Sequence, residues 1–167
     1  MLPAARVEGR YAIAAVCLGN ICRSPIAEVV LRARLDEAGL DGVEVISAGT
    51  GGWHAGDPMD RRSAAILREH DYDPTHHRAQ QWDPTWHERY DLVLAMDEQN
   101  LADLGGPSER VMLWRDLDPE GRGEVPDPYY GGAGGFARVL AMIERTAEVI
   151  VAQLTSRARA PQAVRLS

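Results

Sequence analysis

Along this chain the apolar residues gather into short unbroken runs, separated by stretches in which they recur at helical spacing. "YAIAAVC" (11–17), "VEVISAG" (43–49), "YDLVLAM" (90–96) and "RVMLW" (110–114) read as strands of a buried parallel sheet. After the first, Ile26, Val29, Val30 and Ala33 share one face of a helix. That helix opens at Ser24-Pro25, with Ser24 as its expected cap, and stops near Gly39. Glu28 falls one position beyond a complete capping box. A second helix is expected from Pro58 to about His70 and a short one after Asp97. In the last helix Phe136, Val139, Leu140, Ile143, Ala147, Ile150 and Leu154 keep a 3.6-residue period.

Strands alternating with helices predict an α/β fold, a four-stranded parallel sheet with helices on both faces. Ligands of such sheets bind at the carboxyl ends of the strands. A single domain over 10–155 is expected, with 1–9 a flexible extension and 156–167 a disordered tail that carries Arg157, Arg159 and Arg165 and no acid. Residues 115–134, rich in Asp, Gly and Pro, form a long loop of the kind that usually has a function.

Composition narrows the classes. The 167 residues carry a net charge of −7, which gives no reason to expect binding to nucleic acid or a membrane surface. No apolar run approaches a bilayer span and the N-terminus lacks a signal-peptide core, so a cytoplasmic monomer is expected. The two cysteines, Cys17 and Cys22, exclude a disulfide framework. Five histidines lack the paired spacing of zinc ligands, so no metal and no cofactor is expected.

Both cysteines lie in "VCLGNICRSPIAE" (16–28), the turn from the first strand into the first helix. Such a turn directs backbone N–H groups and the positive end of the helix dipole inward. Gly19 permits a backbone closed to other residues, and Arg23 can hold two oxygens of a tetrahedral anion in a bidentate fork. The backbone of Leu18, Gly19, Asn20, Ile21 and Cys22, with Ser24, completes a phosphate-sized cradle. It is no nucleotide P-loop, which would close with Gly-Lys-Ser/Thr. A cysteine at the base of such a cradle is favoured as thiolate, and Ser24 can donate its hydroxyl to the sulfur. The chemistry is two in-line transfers through a phosphocysteine, without metal. A leaving group then needs a general acid. The candidate is Asp127, held between prolines in "VPDPYY", with Tyr129 and Tyr130 as an aromatic wall.

"CLGNICRSPIAE" with a distant "DPYYG" resembles the low-molecular-weight protein tyrosine phosphatases, over roughly residues 10–155. The resemblance implies a phosphotyrosine-protein substrate, Cys17 as nucleophile, Arg23 as phosphate-binding arginine and Asp127 as general acid. Asn20 matches the asparagine that holds the loop's backbone shape, and Ser24 the serine facing the thiolate. Ser47 in "SAGT" and His77 in "HHRAQQ" match the partners that brace the asparagine, although "HRAQQ" departs from the family's more usual arginine before the glutamine. Trp53 matches the variable aromatic residue opposite Tyr129. Tyr130 either packs or accepts a phosphate itself. A reversible Cys17–Cys22 disulfide is a further expectation, since two cysteines of one tight loop can meet disulfide geometry.

Three rivals share parts of this pattern. Arsenate reductases of the fold need relay cysteines that this chain lacks. Protein arginine phosphatases carry a threonine where Ile21 stands and lack the tyrosine pair. A non-catalytic phosphopeptide-binding module would have lost Cys17, Arg23 or Asp127.

Overall fold

In the computed structural model, which describes residues 1–132 and 134–166 and the side chains of the last helix as far as Arg159, all four apolar runs become strands. β1 (Tyr11–Cys17) lies between β2 (Val43–Gly49) and β3 (Leu92–Ala95), and β4 (Val111–Leu113) adds beyond β3. Every pairing is parallel, with Ile13 beside Val45 on one side and Leu92 on the other. Ile13, Ala14, Ala15 and Val16 are fully covered, which is why this run is apolar without alternation. The chain passes from β1 out to β2 and then back across β1 to β3. Strand order therefore reverses beside β1, and the crevice at its carboxyl end is the expected place for a ligand.

Helices cover both faces. Ile13, Ala15, Leu92 and Leu94 pack under α1 (Arg23–Glu37), α2 (Arg61–Glu69) and α4 (Gly134–Leu166), chiefly through Ile26, Val30 and Leu31 of α1 and Leu140, Ile143 and Ile150 of α4. On the opposite face Ala14, Val16, Val93 and Ala95 lie beneath Trp82, Tyr90 and α3 (Glu98–Asp103). No helix among the described residues is long and apolar enough to cross a membrane.

Within residues 1–9, Leu2 is buried, its N–H donates to Gln153 Oε1, and Asp91 accepts from the Arg6 N–H. Arg157 donates to the carbonyls of Leu2 and Pro3, and Tyr11 Oη also donates to Pro3. At the other end of the chain α4 runs to Leu166. Arg157, with Gln153, ties the amino terminus to that helix. The second helix begins at Arg61 rather than Pro58, because the Asp60 side chain accepts from Arg62 N–H and caps it.

The long loop after β4 opens with a 3-10 turn, Trp114–Leu117, and is then anchored by Asp118. That carboxylate, with no exposed side-chain surface, accepts from Arg145 at 3.0 and 2.8 Å and from Arg115 at 2.9 Å. Burial alone would raise its pKa, but the two arginines outweigh burial and bring it down to about 2. Asp118→Asn is therefore expected to lower stability at neutral pH by on the order of 1–2 kcal/mol. An unfolded aspartate titrates near ~3.9, so this contribution is whole above that pH and is lost as pH falls toward about 2. Urea midpoints of wild type and variant should differ by a constant gap above pH 5 and converge below pH ~4; a gap that persists unchanged in acid would contradict this account.

Candidate active site

Cys17 ends β1 with its side chain nearly buried, and residues 18–22 carry the chain round into α1. The turn is strapped to the strand beside it: Thr50 N–H donates to Cys17 O and Gly51 N–H to Leu18 O, each at 2.9 Å. This approach explains Gly49, where a Cβ would stand 2.8 Å from Leu18 O and 3.0 Å from the Gly19 carbonyl carbon. The special backbone conformation belongs to Asn20, with φ +57°, and not to Gly19 as expected. Gly19 instead leaves room for the His54 ring, whose Cδ2 would lie 3.2 Å from a Cβ there.

A non-glycine residue in the left-handed region persists only when its surroundings over-determine it, and Asn20 is held at both side-chain polar atoms and at its carbonyl oxygen. Its Nδ2 donates to Ser24 Oγ at 2.8 Å and Ser47 Oγ at 3.0 Å, and its Oδ1 accepts from Gln80 N–H at 2.9 Å. Its carbonyl oxygen lies 2.8 Å from His77 Nε2. Burial pushes the His77 pKa below its ordinary value, so the neutral ring donates there from Nε2. The exposed His76 takes no part. Ser47 Oγ in turn donates to Glu28 Oε1 at 2.6 Å, which gives the carboxylate that missed the capping box a partner.

Ser24 does not cap α1. Cys22 occupies the cap position without a side-chain bond, and Ser24 lies inside the first turn. Its Oγ is 3.0 Å from Cys17 Sγ. Because Ser24 already accepts from Asn20, its hydroxyl proton is directed at the sulfur, with Ala48 O more distant at 3.4 Å.

Arg23 is buried to within 2%. Its Nη1 donates to Asp97 Oδ2 at 2.7 Å and Val125 O at 3.0 Å, while Nη2 stands 3.7 Å from Asp127 Oδ2. Burial opposes the cation, but the negative charges of Cys17, Asp97 and Asp127 outweigh it and raise the pKa. Nε is buried and has no protein partner. The Nε–Nη2 edge is thus an unclaimed two-donor fork in the wall of a 170 Å³ pocket that Cys17 and Asp127 also line.

Around the mouth stand Leu18, Trp53, Tyr129 and Tyr130, four of the six large exposed apolar side chains among the described residues. Such clustering marks a binding surface. Ile21 and His54 complete the wall. The Asp127 segment is fixed from two sides. Asp127 Oδ1 accepts from Tyr129 N–H at 3.0 Å, and Arg62 Nη1 donates to Tyr129 O at 3.0 Å while its guanidinium lies over the rings of Tyr129 and Phe136.

A family model described as low molecular weight phosphotyrosine protein phosphatase matches residues 12–160. The chain belongs to this family. A low molecular weight protein-tyrosine-phosphatase of Streptomyces coelicolor is 47% identical over 152 residues, 85% of this chain and 92% of the relative. Among solved structures, a protein tyrosine phosphatase from Entamoeba histolytica superposes with TM-score 0.82 at 30% identity, covering 89% of this chain and 99% of the other. A Drosophila arginine phosphatase superposes with TM-score 0.77 at 26% identity over 85% of this chain and 96% of its own.

Within this phosphatase-family site, every residue expected from the sequence lies in the pocket or in the hydrogen-bond network beneath it. Asp97, Glu28, Gln80, His54 and Arg62 were not legible as site residues. Asp97 carried a signal, as an acid one residue beyond the third strand run. Arg62 carried none.

The two cysteines are free thiols with different chemistry. Burial, then Asp60 and Cys17, push Cys22 up to about 12, so only ~10⁻⁵ of it is ionised at neutral pH. Iodoacetate at pH 7 should therefore give one adduct, at Cys17, that inorganic phosphate suppresses; mass-spectrometric labelling of folded Cys22 would contradict the assignment. Arg62→Ala should release the Asp127 segment and lower kcat for a small aryl phosphate by about tenfold. Unchanged kcat would show that Tyr129 needs no clamp.

Proposed function

We propose that this family member is a protein tyrosine phosphatase that hydrolyses phosphotyrosine through a phosphocysteine. The observation that carries the reading is the unclaimed Nε–Nη2 fork of buried Arg23, in the wall of the pocket that Cys17 also lines and with Nη2 3.7 Å from Asp127 Oδ2. Two phosphoryl oxygens fit the fork and the third faces the loop amides. Cys17 thiolate then attacks phosphorus in line as the phosphorus–oxygen bond to the tyrosyl group breaks. Asp127, whose side chain is 41% exposed at the mouth, gives its proton to the departing phenolate. In the second step a water attacks the phosphocysteine, Asp127 takes its proton, and the sulfur leaves as thiolate with the Ser24 hydroxyl donating to it. Asn20 acts by position, orienting Ser24 and fixing the cradle.

Leu18, Trp53, Tyr129 and Tyr130 favour an aryl ester, since a flat ring fits between aromatic walls and a phosphoserine is too short to present its phosphate below them. Arginine phosphatase activity is the second reading, favoured by the likeness to the Drosophila enzyme. Ile21, in place of that group's threonine, and the tyrosine pair weigh toward phosphotyrosine.

Phosphate release from matched phosphotyrosine, phosphoserine and phosphoarginine peptides, with EDTA present, tests the reading. Wild type should turn over phosphotyrosine alone. Cys17→Ser should abolish turnover and Asp127→Asn should lower kcat by about 10²-fold or more. Preference for phosphoarginine would keep the nucleophile and overturn the substrate. No release from any peptide by folded protein would favour a binding module.

A further inference from the structure

The active-site pocket does not end at its aromatic rim. Leu18 and Trp53 each have a second face, which lines a separate groove of 320 Å³. Trp53, 73% exposed, is thus a partition between the pocket and this groove and not simply an outer wall. Beyond it the groove runs over Trp82 and Pro84 and reaches Asp103, the last residue of α3. The Asp103 carboxylate is exposed, and among the described residues its hydrogen-bond partner is Gln99, whose Nε2 donates to Oδ1 at 3.0 Å. Among the described residues no basic side chain lines the groove, whose walls are the apolar faces of Leu18, Trp53, Trp82 and Pro84 with Thr50 and Gln81 between them. It ends in the Asp103 carboxylate, on a protein of net charge −7.

We infer that this groove is a specificity subsite for a lysine or arginine side chain flanking the phosphotyrosine of the substrate. The inference rests on the phosphotyrosine reading and adds to it the character of the surrounding sequence. A long basic side chain has the two properties the groove asks for. Its aliphatic stem covers the apolar faces of Leu18, Trp53 and Pro84 while its charged end reaches Asp103. The exposed indole face of Trp53 adds a cation–π surface along the way. Gln99 leaves Asp103 Oδ2 free to accept. The groove on the opposite side of the pocket, reached past Ile21 and His54, carries no such bias. There Arg62 is paired with Asp60 and the charges of Asp57 and Arg61 balance. The two sides of the mouth therefore differ, and only one selects by charge.

Exposed ion pairs have small effects, so the preference should be about two- to fivefold in kcat/KM. The test uses phosphotyrosine peptides with arginine, norleucine or aspartate at the positions before and after the phosphotyrosine. Each rate is divided by that for 4-nitrophenyl phosphate, which does not extend into the groove. Wild type should favour the arginine peptide at one flank, and less so at high ionic strength. Asp103→Asn should level the arginine and norleucine peptides, and Asp103→Lys should move the preference to aspartate. Equal rates for all phosphotyrosine peptides, or an arginine preference that survives Asp103→Asn, would overturn the groove and leave the phosphotyrosine reading standing. Turnover of 4-nitrophenyl phosphate without turnover of any phosphotyrosine peptide would overturn both.

Discussion

A guanidinium that is all but sealed from water is the constraint on which this site depends. A buried cation must be paired and hydrogen-bonded, and Arg23 meets the requirement with Asp97 at the end of β3 and the Val125 carbonyl of the long loop. Each partner is itself held. Asp97 Oδ1 caps α3 through Asn100 N–H, and Val125 N–H donates to Met96 O. The solution to one burial problem thus joins the first loop, the end of the third strand and the segment that carries Asp127. It engages Nη1 and leaves Nε and Nη2 without a close partner. Structural and ligand-binding work are divided between two ends of one side chain.

On a protein with net charge −7, the proposed binding of a dianion rests on donors that are local and fixed in advance. Part of the cradle's positive potential comes from backbone N–H dipoles, which carry no net charge and cost no reorganisation when the anion arrives. Their direction depends on Asn20 remaining left-handed. That conformation is strained for any residue with a side chain, and here it is fixed by four partners supplied by α1, β2 and the segment before Trp82. The acidic remainder of the surface then acts on what surrounds the phosphate and not on the phosphate itself.

The strands, the helix order and the position of the loop were legible because each rests on a period or on one residue type. Apolar runs without alternation require a sheet covered on both faces, and Ile13 to Val16 meet that requirement. Cys17, Arg23 and Ser24 were legible because their spacing fixes them on one loop. Ser24 as a cap was misread for a physical reason: its hydroxyl has a better use between Asn20 and the sulfur, so α1 begins with an uncapped N-terminus facing the anion site. Arg62 and Asp103 could not be read at all. Their relevance comes from through-space neighbours, Tyr129 for one and the far side of Trp53 for the other, and no local pattern marks those contacts. The contacts of Leu2 and Pro3 carried no local signal either, because their partners lie on α4, at the other end of the chain.

Cys17 and Cys22 sit in one short loop, and both are nearly buried and line the same pocket. Cys17 Sγ has the Ser24 hydroxyl 3.0 Å away. For Cys22, burial and the nearby Asp60 push the thiol up to about 12. A thiolate at Cys22 would add a negative charge to the pocket in which the phosphate is proposed to bind. Keeping Cys22 protonated removes that conflict without removing the sulfur.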